Sequence, residues 1–344
     1  MLKSALVIAG TGTRVLASMV RQPNRIEQRS WSTEFARRLA SSILERGANE
    51  SNDWLRSKTE LLALKGPVFL KVTWDKVSIG GVPCIRCRPK SGLGASSSAA
   101  SGSVATAPIL YMHGGGYVIG SAESYRYTFA KLALASGAEV IGIDYRLAPE
   151  YDVSQAQLDC LTVAKAMIKG GGVREGGAKG TGDGENSRII LMGDSAGGGL
   201  VLSTVLRLKE CGLDACLAGC VLLSPWIQPF SPELLASDYE EFDILGHGIL
   251  SHWAASLLVD GKRPDYVDFS ETDFKNFPKL YVQASGMEVF LPQINTFVER
   301  LKQASVEVKY DVFEGQFHVF QTLAPLVLEA DAGIAKIAAA LAEF

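Results

Sequence analysis

The chain has 344 residues, 47% hydrophobic and 21% charged, with a formal net charge of −3, the composition of a globular protein with room for one large core or two modest ones. Basic and acidic residues are interspersed, leaving no stripe of Lys and Arg to neutralise a phosphate backbone, so nucleic acid is not an expected partner. No apolar run reaches the roughly 18 residues of a membrane-spanning helix, so none is expected.

Residues 1–26 carry Lys3, Arg14, Arg21 and Arg25, several Ser and Thr, and no acid before Glu27. This composition resembles a mitochondrial presequence. The alternative is an amphipathic helix of the mature protein with Leu2, Leu6, Leu16, Met19 and Val20 on its apolar side. A cytoplasmic location is the default expectation, with the mitochondrion as its rival. Residues 67–89 read as a hairpin turning at Gly80-Gly81. Within it, Cys84-Ile85-Arg86-Cys87 has zinc-knuckle spacing, but strand alternation puts the two thiols on opposite faces and no second Cys or His pair matches. No metal is expected, and Cys84, Cys87, Cys160, Cys211, Cys216 and Cys220 are read as reduced thiols of an intracellular protein.

Residues 91–106, almost wholly Ser, Ala and Gly, and the Gly-rich residues 170–186 read as surface insertions. Around them, apolar or β-branched runs at 108–112, 139–143, 188–192, 218–223, 279–284 and 307–313 read as strands. Helical patterns at 125–136, 154–168, 197–210, 293–303 and 326–342 alternate with them. The expected fold class is α/β, a mostly parallel sheet flanked by helices on both faces, with function at the carboxyl ends of the strands. The helical stretch 1–64 and the Pro-, aromatic- and acid-rich stretch 228–277 fall outside this alternation. They are expected to form a helical cap on a catalytic domain spanning 65–344.

Chemistry is indicated first by Gly193-Asp194-Ser195-Ala196-Gly197-Gly198, placed between a strand and a helix. Glycines on both sides allow the sharp turn that projects a serine hydroxyl as a nucleophile. His113-Gly114-Gly115-Gly116 follows the strand at 108–112, and glycines there let backbone N–H groups approach a developing oxyanion. Of the four histidines, His113 belongs to that turn, while His247 and His252 lie in the expected cap without acids arranged as ligands. His318, just after the last strand, is left as the base. Glu288, after the penultimate strand, is the acid that suits the order nucleophile, acid, base. Asp194 adjoins the nucleophile and is expected to point away from it, Asp311 lies within a strand, and Glu314 is too close in sequence to His318 to hold it from behind.

With these residues in place, the sequence resembles the hormone-sensitive lipase group of α/β-hydrolases, which includes bacterial carboxylesterases and arylacetamide deacetylase-like enzymes. The segments that carry the resemblance are His113-Gly114-Gly115-Gly116, Asp144-Tyr145-Arg146-Leu147-Ala148-Pro149-Glu150, Gly193 to Gly198, and Gly315-Gln316-Phe317-His318, spread over residues 67–325. The resemblance implies an eight-stranded sheet, an acyl-serine intermediate and no cofactor. It also implies oxyanion donors at the N–H groups of Gly115, Gly116 and Ala196, a structural role for 145–150, and cap elements that shape the acyl pocket. Tyr117, Trp226 and Phe290 are expected around that pocket, which would take small or medium acyl esters. Glu288-Val289-Phe290 stands where the group often has Asp-Pro-Leu, Leu291-Pro292 replaces a further acid, and Tyr151-Asp152-Val153-Ser154 replaces Phe-Pro-Ala-Ala. The expected partner is a small-molecule ester, with a homodimer left open. An amidase or deacetylase on the same triad, or a receptor without turnover, are the alternatives, and a receptor of this group would lack the histidine retained at 318.

Overall fold

The computed structural model describes residues 2–22, 26–60, 66–90, 107–170 and 187–344. Residues 91–106 and nearly all of the glycine-rich stretch 170–186 lie outside the described residues. An eight-stranded sheet runs in the order β1 (Val72–Ile79), β2 (Val82–Pro89), β4 (Val140–Ile143), β3 (Ile109–Met112), β5 (Ile189–Asp194), β6 (Leu217–Leu223), β7 (Leu280–Ser285), β8 (Val308–Phe313). β1 and β2 pair antiparallel, β2 is antiparallel to β4, and every other pairing is parallel. The hairpin turns at Gly80 and Gly81, both at positive φ (61° and 86°), which a two-residue turn matched to strand twist requires.

Every residue of β3, β4, β5 and β6 is buried, because both faces of the sheet are covered. Side chains alternate between two cores with the period of two that a strand imposes. Leu110, Met112, Ile141, Ile143, Leu191 and Leu222 enter one core. Ile109, Tyr111, Val140, Ile190, Met192 and Val221 enter the other. Cys84 joins the first and Cys87 the second, the opposite placement that strand alternation predicts. Helices α4 (Arg126–Ser136) and α9 (Ala330–Leu341) bring Phe129, Leu132, Ala133, Ile334 and Ile337 to the second core. Helices α5 (Val153–Ile168), α6 (Ala196–Glu210) and α8 (Leu291–Gln303) cover the first. Each fully buried Leu, Ile or Phe contributes roughly 1.5–3 kcal/mol of burial. Asp152 caps α5 by accepting from Ser154 N (2.9 Å).

The described part of the first 60 residues holds three helices, α1 (Leu2–Arg21), α2 (Trp31–Gly47) and α3 (Asn52–Thr59). The buried side of α1 keeps Met19 of the expected apolar side but not Leu16 or Val20, while the side chains of Leu2 and Leu6 lie outside the described residues. Thr11, Val15 and Met19 are buried, at four-residue intervals, while Leu16 and Val20 are exposed, because α1 lies along α2 and only one residue per turn faces that seam. Within 228–277 the principal helix is α7 (His247–Ser256), which contacts α2. No described helix is long and apolar enough to cross a membrane.

Candidate active site

β5 delivers Ser195 in a sharp strand-to-helix turn at φ 52°, ψ −121°, a conformation that L residues avoid unless the surroundings force it. Two glycines make the turn sterically feasible. A β-carbon at Gly197 would collide with the carbonyl oxygen of Met112, and one at Gly193 with that of Gly197. Ser195 N donates to Leu223 O (2.8 Å), and Trp226 N donates back to Ser195 O (2.9 Å), so the turn is fastened to the end of β6. Asp194, expected to point away from Ser195, is taken up by donors of its own. Its carboxylate accepts from Tyr125 Oη (2.8 Å), Tyr111 Oη (2.9 Å) and Gly114 N (3.0 Å). Burial pushes Asp194 up to about 6, although these donors pull the other way.

The bond from Gly114 N ties the glycine loop after β3 to the turn that carries Ser195. Gly115 and Gly116 adopt φ of 114° and 62°, and a side chain at Gly115 would strike Ile119 O, one at Gly116 the ring of Trp253. Among the described residues nothing accepts from the N–H groups of Gly115 and Gly116, and Ala196 N opens α6, where helix N–H groups lack intrahelical acceptors. His113 is structural. Its ring stacks on Tyr145 (centroids 4.2 Å), Nδ1–H donates to Gly114 O (2.8 Å), and burial drives its pKa down to about 4. The stretch after β4 is structural too: Asp144 accepts from Ala122 N (3.0 Å), Arg146 pairs with Asp159 (2.6 Å), and Arg56 of α3 pairs with Glu150 (2.7 Å).

Glu288 and His318 meet across the loops that follow β7 and β8. His318 Nδ1 lies 2.7 Å from Glu288 Oε2, and Glu288 Oε1 accepts from Ser285 N (2.7 Å). Both side chains are at most 2% exposed. With Nδ1 carrying the proton toward Glu288, Nε2 presents its lone pair. That Nε2 is buried and has no hydrogen-bond partner among the described residues. Burial pulls the imidazole pKa down, but the bond to Glu288 and the charges of Glu288, Asp243 and Asp194 outweigh it, and the pKa stands above its ordinary value. The two loops are laced together by Met287 N to Gln316 O (3.0 Å) and Ser285 Oγ to Phe317 O (2.7 Å). His247 and His252 lie elsewhere, bound to Glu240 and Asn52.

Ser195 and His318 line one cavity of about 150 Å³ together with Gly114, Gly115, Asp194 and Tyr125. Its apolar wall comes from Ala40, Ile43 and Leu44 of α2, from Ile244, Leu245 and Trp253 near α7, and from Ile119, Val319 and Leu323. Tyr117, Trp226 and Phe290 are not on that wall. They form a fully buried aromatic stack behind it, Tyr117 against Trp226 (6.2 Å) and Trp226 against Phe290 (5.7 Å), and Phe290 meets the His318 ring edge-on (4.7 Å). Their apolar character reflects support of the loops rather than contact with the cavity.

Sequence reasoning passed over Asp243. Its carboxylate is fully buried and accepts from His318 N (2.8 Å), Val289 N (2.8 Å) and Ile244 N (2.7 Å). Burial pushes it up to about 6, with His318 pulling down and Glu288 pushing up. It stands 46 and 75 residues from the groups it holds, in a stretch without strand periodicity, so no local pattern marks it.

An α/β hydrolase fold family model matches residues 109–322, well over half the chain. The structure superposes on that of an esterase from the bacterial hormone-sensitive lipase family with a TM-score of 0.73 at 28% identity, covering 88% of this chain and 96% of that one. The chain belongs to the hormone-sensitive lipase family of α/β-hydrolases. A second member of the family, the homologue EstE7 from a metagenome library, superposes with a TM-score of 0.74 at 29% identity, covering 92% and 99% of the two chains. Among curated relatives, an esterase of Acinetobacter venetianus is 28% identical over 237 residues, 68% of this chain and 74% of its own. The carboxylesterase/phospholipase LipF of Mycobacterium tuberculosis is 30% identical over 237 residues, 67% of this chain and 60% of its own. The fold and family implied by the motifs are those found, and the relatives are named as hydrolases of esters.

Proposed function

We propose that this hydrolase cleaves carboxylic esters through an acyl-Ser195 intermediate, with His318 as general base and acid, Glu288 as its orienting carboxylate, and the N–H groups of Gly115, Gly116 and Ala196 as the oxyanion site. The observation that carries this reading is the buried Nε2 of His318, unbonded and facing the cavity that holds Ser195, while Nδ1 is fixed by Glu288 at 2.7 Å. His318 takes the hydroxyl proton as Ser195 Oγ attacks the ester carbonyl, forming an oxyanion that three preorganised donors stabilise by about 3 kcal/mol each at most. The imidazolium, balanced by Glu288, returns the proton to the departing alkoxide. Water activated by the same Nε2 then releases the acid.

A cavity of about 150 Å³ with a mainly aliphatic wall suits a small or medium acyl group. Residues 1–64 and 228–277 serve as the cap that shapes it, a division supported by the cavity lining that α2 and the Ile244 to Trp253 stretch contribute. A fluorophosphonate probe should label the wild type and not Ser195→Ala. p-Nitrophenyl esters should be turned over with highest kcat/KM at short to medium chains, and matched anilides far more slowly. A folded wild type that takes no label would refute the hydrolase reading, and activity confined to long acyl chains would refute the substrate class.

A further inference from the structure

We infer that Asp243 is a positioning residue that joins the wall of the acyl cavity to the base His318, so that filling the cavity is expressed in kcat rather than only in binding. The inference rests on the hydrolase reading above and names how its substrate selectivity is exerted.

Three backbone N–H groups converge on this carboxylate. His318 N and Ile244 N donate to Oδ1, and Val289 N donates to Oδ2. His318 is the base itself, Val289 follows the acid Glu288, and Ile244 with Leu245 lines the cavity beside Ser195. One carboxylate therefore touches the backbone of all three parts. A buried carboxylate is costly unless its lone pairs are used, and here donors from three separate chain segments use them.

The same turn is held from the other side by α2 and the segment before it. Arg37 Nη1 donates to Asp243 O (3.0 Å) and Arg29 Nη2 to Phe242 O (2.7 Å), while Arg29 Nε donates to Gly315 O on the histidine loop. Glu34 binds both guanidiniums, at 3.1 Å and 2.9 Å. With its outer side clamped, the turn has its cavity side, Ile244 and Leu245, left to respond to an occupant. A shift there moves the His318 backbone through Asp243, and displacements well below 1 Å change the rate of proton transfer appreciably. Binding energy from an acyl chain that never reacts is thereby used at the reacting centre.

The test compares p-nitrophenyl acetate, butyrate and hexanoate on wild type, Asp243→Asn and Ile244→Ala. Asn keeps the shape but turns an NH₂ toward one of the N–H donors. In the wild type, kcat should rise about tenfold from acetate to the best-fitting chain. In Asp243→Asn it should fall about thirtyfold for that chain but only about threefold for acetate, with each KM within about threefold. Ile244→Ala, which leaves the carboxylate's bonds in place, should flatten the same kcat series, and it decides the question if Asp243→Asn fails to fold. A uniform loss across all three esters, or chain-length effects confined to KM in either variant, overturns the inference while leaving the hydrolase reading intact. A wild type that neither turns over an ester nor takes the fluorophosphonate overturns both.

Discussion

The two halves of the active site are built in different ways. The Ser195 turn and the glycine loop are backbone constructions, in which Gly193 and Gly197 leave room for Ser195 at φ 52°, and Gly115 and Gly116 hold positive φ with no acceptor for their N–H groups among the described residues. The proposed acid and base are side-chain constructions: Glu288 and His318 meet at 2.7 Å with Ser285, Asp243 and the facing loops holding them. A backbone device has few ways to fail by degrees, whereas a carboxylate-held imidazole can be displaced in small steps.

Substitutions should separate the halves accordingly. Ser195→Ala removes the nucleophile and should lower kcat by about 10⁵-fold or more, with the circular dichroism spectrum unchanged. Glu288→Gln leaves Nδ1 with an ambiguous partner and should cost about 10³-fold in kcat/KM with little change in KM; a loss as complete as that of Ser195→Ala would erase the contrast drawn above. Gly197→Ala forces a methyl into the Met112 carbonyl and should lower unfolding free energy by about 3 kcal/mol, read as an earlier urea midpoint at constant m. The acid limb of kcat/KM should lie above the ordinary imidazole range, because the base must be neutral and the surrounding carboxylates favour its protonated form. Activity is then lost as pH falls through the raised pKa, and Glu288→Gln should move that limb to lower pH. Smallest of all, Trp253→Ala, which opens the wall over Gly116, should shift the best acyl chain longer by a few carbons with at most about a fivefold change in kcat/KM for butyrate.

This division also accounts for what was readable in advance. Backbone devices leave glycines in the sequence, so Gly193, Gly197 and the run from Gly114 to Gly116 could be recognised and placed at strand ends, and strand periodicity supplied the sheet. The Glu288 and His318 side chains were found from their order after successive strands. Asp243 left no trace, because three N–H donors need only one well-placed carboxylate to accept from them, with no spacing rule. The aromatic residues Tyr117, Trp226 and Phe290 were placed near the site but on its wall, since sequence does not distinguish a ring that faces a cavity from one packed behind it.

The short segment from Ile26 to Arg29 covers Gly315, and a side chain there would strike Ile26 and Gln28. The Arg29 guanidinium takes up the Gly315 and Phe242 carbonyls. Proteolytic trimming ahead of Ile26 would remove the α1 seam of Thr11, Val15 and Met19 and the bonds that Arg38 makes to Ser18 and Gln22. Trimming past Arg29 would strip the Gly315 and Phe242 carbonyls of this donor and uncover the loop that carries His318. The amino-terminal stretch thus divides at a physical boundary, a detachable helix before it and, after it, a fastening without which the base has no fixed seat.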